Sequence, residues 1–149
     1  VRMRDESLSS SEIIKKVNDL VGRVKMFIIL DTLEYLKRGG RISPSVAFIG
    51  GILGLHPVIT VNDGKVELID KVKGKKAINK WFLNKLVEMP YDENHNVCLG
   101  HTNDSEKAKQ LDHVLTAEFG FNDRLMYCLG PIVGTHLGPG SVAIAYVAK

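Results

Sequence analysis

Residues 57–69 read Pro57-Val58-Ile59-Thr60-Val61-Asn62-Asp63-Gly64-Lys65-Val66-Glu67-Leu68-Ile69. Pro57 to Val61 is an apolar, largely β-branched run of strand length, and Lys65 to Ile69 is a second segment of that length. Asn62-Asp63-Gly64 between them supplies the residue types that tolerate a left-handed backbone, so the stretch predicts an antiparallel hairpin. Patterns of helical period lie on both sides of it. Strands and helices therefore mix, and the expected architecture is α+β: a two-layer domain with a mixed β-sheet covered by helices.

Upstream, Ser9 and Glu12 form a capping-box pattern, and Ile13, Val17, Leu20, Val21 and Val24 recur at helical spacing. Met26 to Leu30 is a short apolar run that predicts a strand. Asp31 is placed to cap the next turn, Thr32 to Arg38, which Gly39-Gly40 stops. From Ser43 to Leu55 the chain is apolar nearly all round, and a helix without a polar face must be covered on several sides.

Downstream, a helix from about Lys75 to Met89 places Ile78, Trp81, Phe82 and Leu86 on one face, and Pro90 ends it. Asn96 to Thr102 predicts a strand. Asn103 with Glu106 is read as the cap of a helix carrying Ala108, Leu111, Leu115 and Phe119. Arg124 to Leu129 and Val142 to Val147 read as two closing strands joined by the glycine-rich segment Pro131 to Gly140.

The 149 residues fit one domain, 1–149, long enough to bury a core, and 44% hydrophobic with 25% charged residues is a globular composition. A net charge of +3 gives no reason to expect nucleic-acid binding. No apolar stretch reaches the ~18 residues of a membrane span, and no basic-then-apolar leader is visible, so a cytoplasmic location is expected. Cys98 and Cys128 do not make a disulfide framework. Val1 in place of Met suggests a piece of a longer protein.

Three constellations could carry chemistry. In Gly134-Thr135-His136-Leu137-Gly138-Pro139-Gly140, glycines let backbone approach a ligand and could present N–H groups and one imidazole to an anion; a tight turn with an exposed histidine would read the same. In Leu36 to Ser43, Arg41 follows a glycine pair and could fork a carboxylate, or could simply follow a helix C-cap into solvent. Lys71, Lys73, Lys75 and Lys76, with Lys80, form a basic cluster that could dock an acidic partner or be a solvated face. A zinc site from His95, Cys98 and His101 is disfavoured: on one strand the two histidines lie ~20 Å apart, with Cys98 facing the other way. No metal and no cofactor is expected.

Leu30 to Ser43 and Gly134 to Tyr146 together resemble the two signatures of the DegV family of bacterial fatty-acid-binding proteins, Leu-x-Tyr-Leu-x-x-Gly-Gly-Arg-Ile and Gly-x-His-x-Gly-Pro-Gly. The resemblance spans roughly residues 8 to 149. It implies the C-terminal lipid-binding domain of a two-domain protein whose N-terminal α/β domain, absent from this chain, supplies the Ser and Thr that contact the carboxylate. It further implies a carrier and not an enzyme, which holds a long-chain fatty acid for a separate fatty-acid kinase serving lipid synthesis. Carried over by motif, His136 lies near the carboxylate, Arg41 supports it, and Thr135 belongs to the same region. Val46, Phe48, Ile49, Ile52 and Leu53 are candidates for lining the acyl tail, although an ordinary core helix would look alike. Lys71, Lys73, Lys75 and Lys76 are candidates for kinase docking, with Lys73 standing where the family often has arginine.

Two other functions stay open from the residues. An enzyme could use His136 as nucleophile or acid/base, but no orienting carboxylate stands at a recognisable spacing. A purely structural or dimerising domain would leave both motifs unexplained. Acyl length and saturation, oligomeric state and lipid binding by the chain alone are not legible.

Overall fold

The computed structural model describes residues 2–42, 54–121 and 123–149. Within them the elements run α1 (Arg2–Asp5), α2 (Ser10–Val21), β1 (Val24–Ile29), α3 (Glu34–Arg38), β2 (Leu55–Asn62), β3 (Lys65–Lys73), α4 (Lys75–Glu88), β4 (Val97–His101), α5 (Ser105–Phe119), β5 (Arg124–Cys128), α6 (Pro131–Leu137) and β6 (Val142–Val147). The strands form one mixed six-stranded sheet in the order β3-β2-β1-β6-β4-β5. Among the described residues only β4 and β5 pair in parallel; every other neighbour is antiparallel. With its helices this is an α+β domain, as the hairpin and the surrounding helical periods indicated.

The period-two alternation of β1 splits its side chains between two cores. Phe27 and Ile29 join Val58, Leu99, Ile144 and the buried faces of α4 (Ile78, Phe82, Leu86) and α5 (Ala108, Leu111, Leu115). Ile28 and Leu30 face the other way and meet Leu33, Leu36, Ile59, Leu137 and Ala143, so the short helices α3 and α6 cover part of the second face. Central strands buried on both sides read as nearly continuous hydrophobic runs.

The predicted hairpin is present, and its turn is the mirror-image type that suits strand twist: Asp63 and Gly64 have φ of 47° and 73°. A register shift between Val58 and Ile59 leaves Ile69 outside the pairing, as one extra residue in β3. The capping box on α2 is complete, with the Glu12 carboxylate accepting from Ser9 N and Ser9 Oγ from Glu12 N. Arg23 clamps the far end of the sheet by donating to Ala148 O at 2.8 Å and pairing with Asp92.

Several expectations are corrected. Asp31 does not cap α3; Glu34 N bonds Thr32 Oγ1, and Asp31 is taken up by Lys107, with His56 beside it, as described below. Asp104, not Asn103, caps α5 by accepting from Lys107 N at 3.0 Å, while Asn103 takes a left-handed φ of 52° in the turn. His95 lies in the turn before β4, not on it, since its N–H bonds Asp92 O. The segment Pro131 to Gly140 is not an extended loop: its first seven residues are helix α6, with Pro131 at a position whose missing N–H costs nothing. The two closing strands that it joins are both present, as β5 and β6, with β4 between them. Val46, Phe48, Ile49, Ile52 and Leu53 lie outside the described residues.

Candidate functional site

Antiparallel pairing brings the two motifs to one end of the sheet. There β1, β4 and β5 finish while β2 and β6 begin: Ile29 stands opposite Val58 and Val142, and His101 opposite Val142 and Cys128. The segment after β1 and the segment before β6 therefore emerge side by side.

Three glycines lock these segments together. A Cβ built on Gly138 would fall 2.3 Å from the Tyr35 ring, one on Gly140 would fall 2.1 Å from the Asp31 carboxylate, and one on Gly39 would fall 2.1 Å from His136 Nδ1. Each motif thus offers a bare backbone where the other sends a side chain. Gly138 and Gly140 also need positive φ, 73° and 78°, so two separate demands exclude a side chain there. Leu33, Leu36 and Leu137, each under 9% exposed, seal the contact between α3 and α6.

The glycine pair after α3 ends it in a Schellman arrangement. Gly40, at φ 64°, donates to Lys37 O, and Arg41 N reaches back to Leu36 O at 2.9 Å. Arg41 is exposed, and its guanidinium turns back to donate to Gly39 O at 3.0 Å. Gly39 is therefore the meeting point: His136 packs on it and Arg41 hydrogen-bonds it.

His136 is half-buried at the end of α6, and its Nδ1 is buried with no hydrogen-bond partner among the described residues. An N–H buried there would lack an acceptor, whereas a bare lone pair against a backbone carbon costs less. We assign the neutral ring its proton on Nε2, which makes that atom a donor on the side away from Gly39. Thr135 is exposed and its hydroxyl donates to Pro131 O at 2.6 Å, one turn earlier in α6.

Sequence reasoning missed the polar frame beneath. Thr102, buried at the end of β4, donates through Oγ1 to Gly138 O at 2.5 Å and accepts from Ser141 N at 2.9 Å. Ser141, also buried, donates to Leu137 O at 3.0 Å. Lys107 donates to Asp31 Oδ1 at 2.8 Å and Gly140 O at 2.6 Å, and His56 Nδ1 lies 3.2 Å from the same Asp31 oxygen. The only sequence signal would have been a Thr directly after a buried strand, which is too common to single out.

Lys71, Lys73, Lys75 and Lys76 are all exposed at the end of β3 and the start of α4. Lys71 stands opposite Pro57, whose carbonyl accepts from Leu30 N, so the cluster flanks the same end of the sheet. Among the described residues no group of three or more His, Cys, Asp or Glu could hold a metal. Both cysteines are free, and burial pushes the Cys98 thiol up.

A family model described as "Uncharacterised protein, DegV family" matches residues 1–149. A curated DegV domain-containing protein from Caldanaerobacter subterraneus subsp. tengcongensis is 32% identical over 149 residues, covering 99% of this chain and 53% of the relative. Among solved structures, the fatty acid binding DegV family protein of Streptococcus agalactiae aligns with a TM-score of 0.85 at 29% identity, over 99% of this chain and 53% of that one. The Fatty Acid Kinase B3 protein of Streptococcus pneumoniae, loaded with linoleic acid, shares the fold with a TM-score of 0.88 at 19% identity, over 99% and 53%. The chain spans about half the length of the relatives it matches.

Proposed function

The chain belongs to the DegV family, and from that premise we propose that it binds a long-chain fatty acid, sheltering the acyl tail and helping to hold the carboxylate for a separate fatty-acid kinase. One observation carries the reading: His136 and Arg41, almost a hundred residues apart, converge on Gly39, with the imidazole in a half-buried seat. The fatty acid named for the Streptococcus agalactiae relative supports the ligand class.

The chemistry suits such a ligand. Each buried methylene contributes about 0.8 kcal/mol, so a tail of roughly 15 offers on the order of 12 kcal/mol before ordering costs. A carboxylate cannot enter a half-dry site unpaired. The Nε2–H of His136 supplies a donor, and the Arg41 guanidinium, one residue beyond the glycine pair, supplies charge. Thr135 adjoins this region, but its proton is already given to Pro131 O. Val46, Phe48, Ile49, Ile52 and Leu53 remain our candidates for the tail's walls, an N-terminal α/β domain for the remainder of the site, and Lys71, Lys73, Lys75 and Lys76 for kinase docking. The work belongs in the cytoplasm on this reading; among the described residues no helix is long and apolar enough to cross a membrane.

We infer a carrier, not an enzyme. A catalytic histidine of the triad kind is oriented by a carboxylate on one nitrogen, and here that nitrogen faces the Gly39 backbone instead. The complete protein purified from bacteria should release fatty acid on solvent extraction, detected by mass spectrometry. Preparations from several hosts that contain none would end the proposal.

A further inference from the structure

We infer that Lys107 is a positioning residue for the His136 site: from α5, on the opposite face of the sheet, it holds Asp31 and Gly140 together and so fixes the turn into which α6, carrying His136, ends. The inference rests on the carboxylate-binding reading above and adds to it a residue that neither motif contains.

Lys107 is the third residue of α5, whose first turn carries the positive end of the helix dipole. A cation is disfavoured there. Glu106, the acid in the same turn, pairs with Lys109 instead. The side chain of Lys107 is only 18% exposed, unusual for a lysine on a surface helix, and it spans the end of the sheet to reach Asp31 Oδ1 at 2.8 Å and Gly140 O at 2.6 Å. One ammonium thus bridges both motifs at the point where the missing Cβ of Gly140 admits the Asp31 carboxylate.

The remaining bonds to the turn come from one side. Thr102 accepts from Gly140 N through its carbonyl at 2.7 Å, and its hydroxyl serves Gly138 O and Ser141 N. These fix the height of the turn above β4. Lys107 adds to the packing of Tyr35 on Gly138 a pair of hydrogen bonds that tie the turn to Asp31, in the segment leading into α3, where Gly39 and Arg41 lie. Loosening that tie lets the seat of His136 slide relative to the helix it packs on. Charge-assisted bonds from a mostly covered ammonium are the stronger kind.

The test is a double-mutant cycle on the complete protein, with linoleic acid as probe and Kd read by calorimetry: Lys107→Met, His136→Ala and both together. We expect Lys107→Met to raise Kd about tenfold in the wild-type background and less than about twofold in the His136→Ala background, because positioning has no effect without the group positioned. Lys107→Gln, which keeps a donor for Gly140 O but lacks the charge for Asp31, is the second variant should Lys107→Met not fold. Equal losses in both backgrounds would show a merely structural lysine and overturn the inference, as would an unchanged Kd for Lys107→Met. If His136→Ala itself leaves Kd unchanged, the carboxylate reading falls first and takes this inference with it.

Discussion

Gly39 shows how much one missing methyl group can decide. Its φ of −76° suits any residue, so no backbone argument requires glycine there; the requirement comes from His136 Nδ1. Because the obstructing atom ends a rotatable side chain, Gly39→Ala should displace the imidazole and not unfold the protein. We expect a stability loss of no more than about 1 kcal/mol by chemical denaturation, together with fatty-acid binding weakened as far as in His136→Ala. Large destabilisation with intact binding would mean that the imidazole does not yield. At the other end of the sheet, Asp92 has its carboxyl lowered to about 2, first by the Asn94 backbone N–H and then by the Arg23 guanidinium. Its folded value lies below the ordinary 3.8, so its contribution is fully present above that value and is lost as pH falls towards 2. Asp92→Asn should therefore lower stability at neutral pH and flatten the decline between about pH 4 and 2 in acid titrations of thermal unfolding. A decline as steep as that of the wild type would assign it to other carboxylates.

Among the elements, the β2–β3 hairpin was the most legible, because turn chemistry is local: Asp63 and Gly64 specify the turn whatever else the chain does. Nothing lies within 4 Å of a Cβ added to Gly64, so Gly64→Ala isolates the backbone cost. Equilibrium unfolding in urea should show a loss of about 1 kcal/mol with unchanged fatty-acid affinity; a loss near zero would mean that the turn is not in its left-handed form. The helices α4 and α5 were equally readable from their 3.6-residue period. What could not be read depended on distance. Asp31 looked like a cap because aspartate usually is one, and only the folded chain brings Lys107 and His56 to it. The helicity of Pro131 to Leu137 was hidden by Gly134 within it, which weakens helix propensity, and by Gly138 and Gly140 just beyond it, which read as loop. The meeting of His136 and Arg41 rested on resemblance at the sequence level; its physical basis, a shared seat on Gly39, needs the antiparallel pairing of β1 with β6.

For the whole molecule, the central fact is an arrangement in which two layers cooperate across the end of one sheet, α3 and α6 carrying the motifs while α5 reaches over to brace them. On α6, Ile132 is 85% exposed and Val133 47%, and β5, the strand that precedes it, presents Leu125, Met126 and Tyr127. Among the described residues these apolar side chains are left uncovered. We expect the chain alone to retain fatty acid more weakly than the complete protein in a parallel extraction and mass-spectrometric assay; retention as tight in both would make the rest of the protein unnecessary for binding. The measurement that bears most directly on the account is the carboxyl signal of linoleic acid labelled with carbon-13 at its first carbon, bound to the complete protein and observed by NMR. The account predicts a bound signal resolved from that of the free acid, and shifted by both His136→Ala and Arg41→Met. A bound signal identical in the wild type and both variants would place the carboxylate elsewhere and contradict it.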